Sequence, residues 1–405
     1  MPARLLFHDM HGYVFVRDLA SWLADRGHDV TFVSCSSVET PNRQSSSAAA
    51  GARTVRIGLD ADFPKYDVVR RIRAEVRYGR RLVAVVRRHR PDVVFSSNAP
   101  LLSQAILAAG TRRAGSRFVF WVQDLYGPAA RQALAERLPM PLARAAATPF
   151  VALERRLLRY SDHVIAIGQT LADAAVAAGV PPERVDVVSN WTDPEAVRPL
   201  PSGTAWRAEH GLSGITTFLY SGTLGKKHPY RTLLELSRQL PTSARAVVAS
   251  EGLGARWLAT ERSPADSLLL LPYQPEDRLS EMLASADVLV LLLGRDASRY
   301  SMPSKFYTYA CAGRPILAVV PPDSEIARLV EEAGCGLVVD VDDQAGLAVA
   351  VKSLLADADL RSYLGAAGRR WAERTMVPGH IADRFDSLAR KLSAGRPERH
   401  GAGHR

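Results

Sequence analysis

Cysteine is scarce in this chain of 405 residues, which holds only Cys35, Cys311 and Cys335. An odd number at wide spacing fits neither a disulfide framework nor the paired spacing of a zinc site. We therefore expect all three to be small buried residues without chemistry of their own.

Long apolar runs are also missing. None reaches the roughly 20 residues that a membrane-spanning helix needs. The apolar stretch at Leu5–Phe7 is too short for a secretory signal, and His8 and Asp9 interrupt it. We expect a first strand there and a cytoplasmic protein.

Composition is otherwise ordinary, with 47% hydrophobic and 23% charged residues, as in folded globular proteins. The length suits two domains better than one. Strand and helix patterns alternate throughout, which predicts an α/β protein with parallel sheets. The predicted strands are 4–8, 29–34, 54–57, 92–96, 118–122, 163–167 and 185–188, then 217–220, 246–249, 268–271, 288–292, 316–320 and 337–339.

A segment with three prolines, 191–204, separates the two groups of strands and is predicted to be a linker. We predict two Rossmann-like domains, 1–190 and 205–377, facing each other across a cleft. A helix at 378–394 is a candidate for packing back on the first domain, and 395–405 reads as a disordered tail. Ligands in such folds bind at the carboxyl ends of the strands.

The loop SGTLGKKH, at 221–228, directly follows a predicted strand. Its two glycines let backbone approach an anion, which a following lysine can neutralise. The spacing is not that of a Walker A loop. An ordinary turn with two solvated lysines is the alternative.

A second motif, MPSKFYTYACAGRP, occupies 302–315. Ser304 is placed to cap a helix and Gly313 to end it. Free N–H groups and the helix dipole, together with Lys305, would favour a diphosphate. The alternative is an ordinary capped helix.

Two polar segments follow strands of the first half. Asp124 lies in WVQDLYGP (121–128), where a carboxylate could bind an acceptor or act as a base. Asn98 follows the strand predicted at 92–96. Either side chain could instead cap the next helix.

Together these segments resemble the retaining glycosyltransferases of the GT-B fold that are numbered family 4. The resemblance spans most of the chain and includes LERRLLRYSDHVIAIG at 153–168 and LPYQPEDRLSEMLASADVLVLLL at 271–293. The helix with PSK and Ala-Gly-Arg-Pro is most similar to the branch that builds capsule, O-antigen and exopolysaccharide.

The resemblance implies transfer of a sugar from a nucleoside diphosphate sugar, with uracil the expected base, to a glycan or polyprenyl-linked acceptor. It implies retention of anomeric configuration, without metal or other cofactor. By position, the implied catalytic residues are Lys227, Lys305 and Asp124. The implied donor-binding residues are Gly12, Gly222, Lys227, Pro272, Tyr273, Gln274, Ser304, Lys305 and Thr308, and the implied acceptor-binding residues are Asn98, Gln123 and Asp124.

The chain departs from the family at three positions. Many members carry two glutamates eight residues apart, the second binding the ribose, where this chain has Tyr300 and Thr308. Many members also carry a histidine at the position of Gln123.

Two other functions stay open at this stage. A two-domain sugar-nucleotide epimerase shares the fold, although the 302–315 motif favours a transferase. A net charge of +10 suggests nucleic acid, but the motifs of nucleic-acid-binding domains are missing and no such partner is expected. Three Asp-x-Asp strings, beginning at Asp60, Asp340 and Asp357, are interpreted as surface loops and not as metal ligands.

The charge is concentrated in the first 200 residues, and above all at 65–90, which holds ten Lys or Arg and two acids. Apolar residues recur there at helical spacing, including Val69, Ile72, Leu82 and Val86, and we expect them to pack on the first domain. A basic amphipathic helix is typical of membrane-surface binding. We therefore predict peripheral association with the anionic inner face of the plasma membrane; the alternative is a solvated basic face.

Overall fold

The computed structural model describes residues 2–38, 49–59, 62–63, 68–97, 99–136 and 138–394. Asn98, the tail 395–405 and much of the serine-rich segment after Ser36 lie outside these residues.

The first sheet has seven strands within the described residues, all of them parallel. Their order is β3-β2-β1-β4-β5-β6-β7. Most of them are continuous apolar runs, because helices cover both faces of a parallel sheet. The strands are β1 Arg4–Asp9, β2 Asp29–Cys35, β3 Arg53–Ile57, β4 Val93–Ser97, β5 Arg117–Val122, β6 His163–Ala166 and β7 Val185–Val187.

The helices that accompany this sheet are α1 Val14–Asp25, α2 Val68–His89, α3 Leu101–Arg113, α4 Tyr126–Ala135, α5 Met140–Tyr160 and α6 Gln169–Ala177. Helix α1 ends at Asp25, and Gly27 follows in the left-handed conformation at φ 86°, as is common after a helix end. Residues 191–204 then contain neither helix nor strand.

The second sheet repeats the plan with six parallel strands in the described part of the chain, in the order β10-β9-β8-β11-β12-β13. They are β8 Thr216–Ser221, β9 Ala244–Ala249, β10 Leu268–Leu271, β11 Val288–Leu292, β12 Ile316–Val319 and β13 Gly336–Val339. The helices are α7 Ala205–Glu209, α8 Arg231–Gln239, α9 Leu253–Glu261, α10 Leu279–Ala284, α11 Lys305–Cys311, α12 Glu325–Ala333, α13 Gln344–Ala356 and α14 Ala358–Thr375.

The predicted fold class, two Rossmann-like domains, is confirmed, and each predicted strand is present with ends shifted by two residues or fewer. In both sheets the strand order reverses beside the first strand, between β1 and β4 and between β8 and β11. Ligand crevices form at such reversals. The loops with Gly12 and Gly222 follow β1 and β8, so each lies at the reversal of its own sheet.

The last helix, α15 (Pro378–Ala394), leaves the second sheet and packs on the first. Phe385 is 1% exposed and lies 4.9 Å from the ring of Trp121 and 5.7 Å from that of Phe95, measured between centroids. Beside it, the Nε2 of buried His28 lies 2.9 Å from a carboxylate oxygen of Asp386. The chain therefore closes on its own first sheet through an aromatic cluster.

We expect Phe385→Ala to lower the free energy of unfolding by about 3–5 kcal/mol, the usual cost of truncating a buried phenylalanine. The measurement is denaturant unfolding followed by tryptophan fluorescence, since Trp121 and Trp191 both contact this ring. The matched control is Tyr363→Ala on α14, where the side chain is 67% exposed and the change should stay within about 0.5 kcal/mol. Equal unfolding midpoints for the two variants would contradict this role.

Candidate active site

Gly222 begins the loop after β8 with a left-handed backbone, at φ 112°. Its own N–H is already used, donating to the carbonyl of Ala249 at 3.0 Å. The lack of a side chain on Gly222 matters here, because a Cβ at this position would lie 3.3 Å from the Nζ of Lys305. The glycine therefore leaves room for the lysine at the cleft.

Lys305 is the first residue of α11, and its ammonium nitrogen is buried without a hydrogen-bond partner among the described residues. The nitrogen lies 3.8 Å from the centroid of the Tyr220 ring. Burial, followed by the nearby Lys227, lowers the pKa of Lys305 well below its ordinary value of 10.5. A cation in this position lacks a counter-charge, which an anionic ligand would supply.

Ser304 precedes α11 as expected, but its hydroxyl makes no capping hydrogen bond. The helix has seven residues, so its dipole is small. It ends at Cys311, Ala312 is the C-cap residue, and Gly313 follows in the left-handed conformation at φ 66°. Tyr309, on the same helix, accepts a hydrogen bond from the N–H of Ser221 at 3.0 Å and so ties α11 to the glycine loop.

Lys227 reaches across the cleft. Its Nζ donates to the hydroxyl of Ser301 at 2.8 Å and lies 3.6 Å from a carboxylate oxygen of Asp124. Asp124 and Ser301 also form an isolated antiparallel bridge, and the N–H of Leu125 donates to the carbonyl of Tyr300. The tertiary structure thus brings Lys227 and Asp124, residues 103 positions apart, into one site.

His228 ends the glycine loop as a buried side chain whose Nδ1 accepts from the N–H of Gly225 at 3.1 Å. Burial, then Lys305 and Lys227, lower its pKa well below 6.5. The histidine is therefore neutral at physiological pH and adds no charge beside Lys227 and Lys305.

The first sheet contributes the turn at Gly12, where φ is 67°. The carboxylate of buried Asp9 shapes this turn by accepting from the N–H groups of His11 and Tyr13. Burial, with Asp9, Asp124 and Tyr273 nearby, raises the pKa of the Tyr13 hydroxyl. The turn therefore faces both Asp124 and the second sheet. The sequence pattern treats Asp9 only as the end of an apolar run, so its role was missed.

The segment after β10 supplies Tyr273, whose hydroxyl lies 2.6 Å from that of Thr223 in the glycine loop. The amide of Gln274 is engaged elsewhere, accepting from the indole N–H of Trp206 at 2.9 Å and donating to the carbonyl of Pro272. Of the three expected donor-binding residues in this segment, Tyr273 has a side chain in contact with the glycine loop.

Thr308 and Gln123, two positions where the sequence differs from the family pattern, both have hydrogen-bond partners within the chain. The hydroxyl of Thr308 lies 2.8 Å from that of Thr192 in the linker segment. Gln123 is 8% exposed and exchanges two amide hydrogen bonds with Asn190, at 2.8 and 3.1 Å. The side chain of Gln123 is thus held within the first domain. Asn98 lies outside the described residues.

Two further contacts hold the halves together around the cleft. The guanidinium of Arg17 binds the carboxylate of Glu276 at 2.7 Å. Glu325 accepts from the N–H groups of Gln169 and Thr170 at the start of α6, at 2.7 and 3.0 Å. Each contact joins a residue of the first domain to one of the second.

The Asp-x-Asp strings within the described residues have structural partners. Asp340 and Asp342 both bind Arg295, at 2.6 and 3.1 Å. Asp357 caps α14 by accepting from the N–H of Leu360. Across the described residues, no group of three His, Cys, Asp or Glu side chains has the arrangement to hold a metal ion. Metal independence stays a prediction.

Two family models together match most of the chain. The family described as "Glycosyl transferase 4-like domain" matches residues 13–191, and "Glycosyl transferases group 1" matches 204–371. The chain belongs to the GT-B glycosyltransferases of the family 4 type. The epimerase alternative is disfavoured, because both halves match transferase models.

Relatives of this glycosyltransferase are distant. A probable glycosyltransferase, WbjE of Pseudomonas aeruginosa, is 26% identical over 325 residues, or 76% of each chain. A GDP-mannose-dependent α-(1-6)-phosphatidylinositol monomannoside mannosyltransferase of Mycolicibacterium smegmatis is 26% identical over 69% of this chain and 71% of its own.

Solved structures share the fold at low identity. Sucrose-phosphate synthase from Thermosynechococcus elongatus superposes with a TM-score of 0.76 at 17% identity, covering 96% of this chain and 99% of its own. Anabaena HepE in complex with UDP-glucose has a TM-score of 0.69 at 14% identity, covering 96% and 100%. A putative UDP-N-acetylglucosamine 2-epimerase from Listeria monocytogenes has a TM-score of 0.63 at 12% identity, covering 98% of each chain.

We expect Lys305→Met to leave the empty glycosyltransferase as stable or slightly more stable, because it removes a buried amine that has no hydrogen-bond partner among the described residues and keeps a similar volume. Its affinity for UDP should fall about 10- to 100-fold, the usual value of a hydrogen bond to a charged group. Thermal unfolding with and without UDP measures both effects. The control is Lys352→Met on the exposed surface of α13. A large loss of stability in Lys305→Met together with normal UDP binding would contradict the prediction that Lys305 binds the diphosphate.

Donor binding should also take up a proton. An anion beside Lys305 raises the lowered pKa of its ammonium, so affinity falls as the pH rises above the pKa of the empty site. Calorimetry of UDP binding in buffers of different ionisation enthalpy counts the protons. The variant His228→Asn keeps a hydrogen-bond acceptor near the Gly225 N–H and should still take up the proton on UDP binding. Loss of proton uptake in this variant would show that His228, and not Lys305, is the group that is protonated.

Proposed function

We propose that this glycosyltransferase transfers a sugar from a nucleoside diphosphate sugar to a lipid-linked or glycan acceptor, with retention of configuration and without a metal ion. The observation that carries the proposal is the pair Lys227 and Lys305 beside Gly222, opposite Asp124. Two lysine side chains beside one glycine match a diphosphate leaving group, which would favour the protonated form of both, and a carboxylate across the cleft matches an acceptor hydroxyl.

The chemistry asks for charge stabilisation more than for a dedicated base. The bond between the sugar C1 and the diphosphate oxygen breaks as a bond forms from C1 to the acceptor oxygen on the same face. The acceptor proton passes to the departing diphosphate oxygen. Lys227 and Lys305 stabilise the charge that develops on that oxygen, the role in which one fixed donor contributes a factor of about 10²–10³ in rate. Asp124 orients the acceptor hydroxyl.

Lys227 changes partner in this mechanism. Without donor its ammonium is shared between Ser301 and Asp124. Donor binding draws it to the diphosphate and leaves the Asp124 carboxylate available to the acceptor. We infer that the donor binds before the acceptor. Without donor, the ion pair between Lys227 and Asp124 occupies both the group proposed for the diphosphate and the group proposed for the acceptor.

UDP is the proposed nucleotide. HepE, which has the same fold, binds UDP-glucose, whereas the mannosyltransferase relative uses GDP-mannose. Tyr273 would stack against the base, and the hydroxyl of Thr308 would take the place of the family glutamate at the ribose. A GDP-sugar is the alternative, and direct comparison decides between them.

The donor assignment is tested by thermal shift against UDP- and GDP-sugars. A ligand at about 100 times its Kd stabilises by about 2.7 kcal/mol, so the true donor gives a clear rise in Tm. With that donor, NMR of the product should show the anomeric configuration of the donor. Transfer should persist in EDTA; loss in EDTA with recovery in magnesium or manganese would refute the metal-free mechanism.

We expect Lys227→Ala to lower kcat/KM by about 10²–10³. The control is its neighbour Lys226, which is exposed and bound to Glu136. Lys226→Ala should change kcat/KM by only a small factor. Equal losses in both variants would mean that the loop acts through its fold and not through the Lys227 charge.

The acceptor side is proposed to face a membrane in surface polysaccharide or glycolipid synthesis. The mannosyltransferase relative acts on a phosphatidylinositol glycolipid. No helix in the described part of the chain is long and apolar enough to cross a bilayer. We propose peripheral attachment at the cytoplasmic face, through the arginines of α2.

Helix α2 packs on the first sheet through buried Tyr78, Leu82 and Val86. The expectation that Val69 and Ile72 also pack there is wrong: they are 59% and 49% exposed. The single acid of the helix, Glu75, is buried and paired with Arg71 at 2.9 Å. The exposed charges of α2 are all cationic, and each is worth about 1 kcal/mol near an anionic leaflet.

Replacing Arg70, Arg71, Arg73 and Arg77 with Gln should weaken flotation with anionic vesicles and transfer to a lipid acceptor. Transfer to a soluble acceptor should stay nearly unchanged, since these residues lie outside the cleft contacts. Wild-type binding should fall with salt and be weak on neutral vesicles. Equal flotation of both proteins would refute the role of α2.

A further inference from the structure

The first half of α5 is exposed on almost every side. Leu138 and Met140 are 37% and 50% exposed, and Leu142 and Phe150 are 58% and 47% exposed. Between Met140 and Phe150, only Ala143 and Ala147 are buried. Four large apolar side chains in one short exposed segment mark an interaction surface, since such residues are normally scattered.

We propose that this segment, 138–150, inserts into the apolar boundary of an anionic bilayer and is a second membrane contact besides α2. The proposal rests on the lipid-linked acceptor and peripheral attachment proposed above, and it names the residues that enter the bilayer.

The charges of α5 favour a lipid surface. From Leu138 to Ala152 the single charged residue is Arg144. The one acid of the helix, Glu154, is buried and accepts from the N–H groups of Tyr126 and Gly127, at 2.6 and 3.0 Å. The exposed charges of α5 are all cationic: Arg144, Arg155, Arg156 and Arg159. Apolar side chains with arginines beside them suit the headgroup and acyl boundary of an anionic leaflet.

The same distribution opposes a second copy as the occupant. On both α2 and α5 the acids are buried and the exposed charges are arginines. Two copies meeting through this face would bring like charges together in a poorly hydrated contact. An anionic bilayer supplies the opposite charge together with an apolar phase.

The two helices also lie close to each other. Tyr126, at the start of α4, interacts electrostatically with Arg71 and Glu75 of α2 and with Glu154 of α5. A Cβ on Gly127 would lie 3.2 Å from the Cα of Val151. The exposed Ile72 and Phe150 each lie one residue from these contacts, so the first turns of α2 and the exposed half of α5 border the same end of α4.

This end of α4 follows Asp124 by two residues. A bilayer seated on 138–150 would therefore lie beside the acceptor side of the cleft. An acceptor anchored in that leaflet could present its head group to Asp124 without leaving the lipid.

The test uses the full chain with Leu142→Cys carrying an environment-sensitive fluorophore. The three native cysteines are buried, so the label goes to the introduced thiol. The control is Val349→Cys on α13, where the native side chain is 66% exposed. With vesicles of phosphatidylglycerol and phosphatidylcholine, the probe at 142 should shift to the blue and brighten, and the probe at 349 should not change.

A second variant measures the contribution to binding. Leu142→Ser with Phe150→Ser should weaken partitioning onto these vesicles about 10- to 100-fold, from the apolar area that no longer leaves water. Both positions are exposed, so the fold and the UDP-induced thermal shift should be unchanged. Val349→Ser should partition like wild type.

The outcomes separate the proposals. An unchanged probe at 142 on vesicles that do bind the protein overturns insertion and leaves attachment by α2 standing. Absence of any vesicle binding by wild type removes both membrane contacts, while the UDP thermal shift decides the transferase proposal independently. A dimer in sedimentation that Leu142→Ser with Phe150→Ser converts to monomer would assign the surface to a second copy and overturn insertion.

Discussion

The return of the last helix to the first sheet is the constraint on which the cleft depends. Phe385 of α15 occupies an aromatic cluster with Trp121 and Phe95, so the end of the chain is anchored in the domain where the chain begins. This anchor, the linker and the contacts of Arg17 and Glu325 set how the two sheets face each other. Residues from both halves can therefore meet within hydrogen-bonding distance.

Within that frame, the start of α11 holds an electrostatically unfavourable group. Lys305 is buried over an aromatic ring without a hydrogen-bonding partner among the described residues, and Lys227 lies near enough to lower the pKa of Lys305 further. A bound anion would offset the cost of desolvating this lysine, and the proposed donor diphosphate would supply that anion. Gly222 and the neutral His228 belong to the same arrangement, one by leaving space and the other by adding no further charge.

The outer surface of the first domain differs from the cleft in where its charged and apolar side chains lie. Helices α2 and α5 bury their acids in contacts that order the backbone or pair with Arg71, and expose arginines together with apolar side chains. Positive charge and exposed apolar side chains are thus concentrated on the first domain, beside the proposed acceptor side of the cleft, whereas the proposed donor loop follows a strand of the second sheet.

Strands, glycine turns and the lysine motifs could be predicted from the sequence, because they rest on local periodicity and backbone preference. Apolar runs such as Val288–Leu292 and helix-ending glycines such as Gly313 need no distant partner to be recognised. Packing between residues far apart in the chain decided the rest. It paired Gln123 with Asn190, placed Lys227 beside Asp124 and left Ile72 in solvent. The helical period shows which residues share a face, but only the tertiary structure decides how far along that face the neighbouring elements extend.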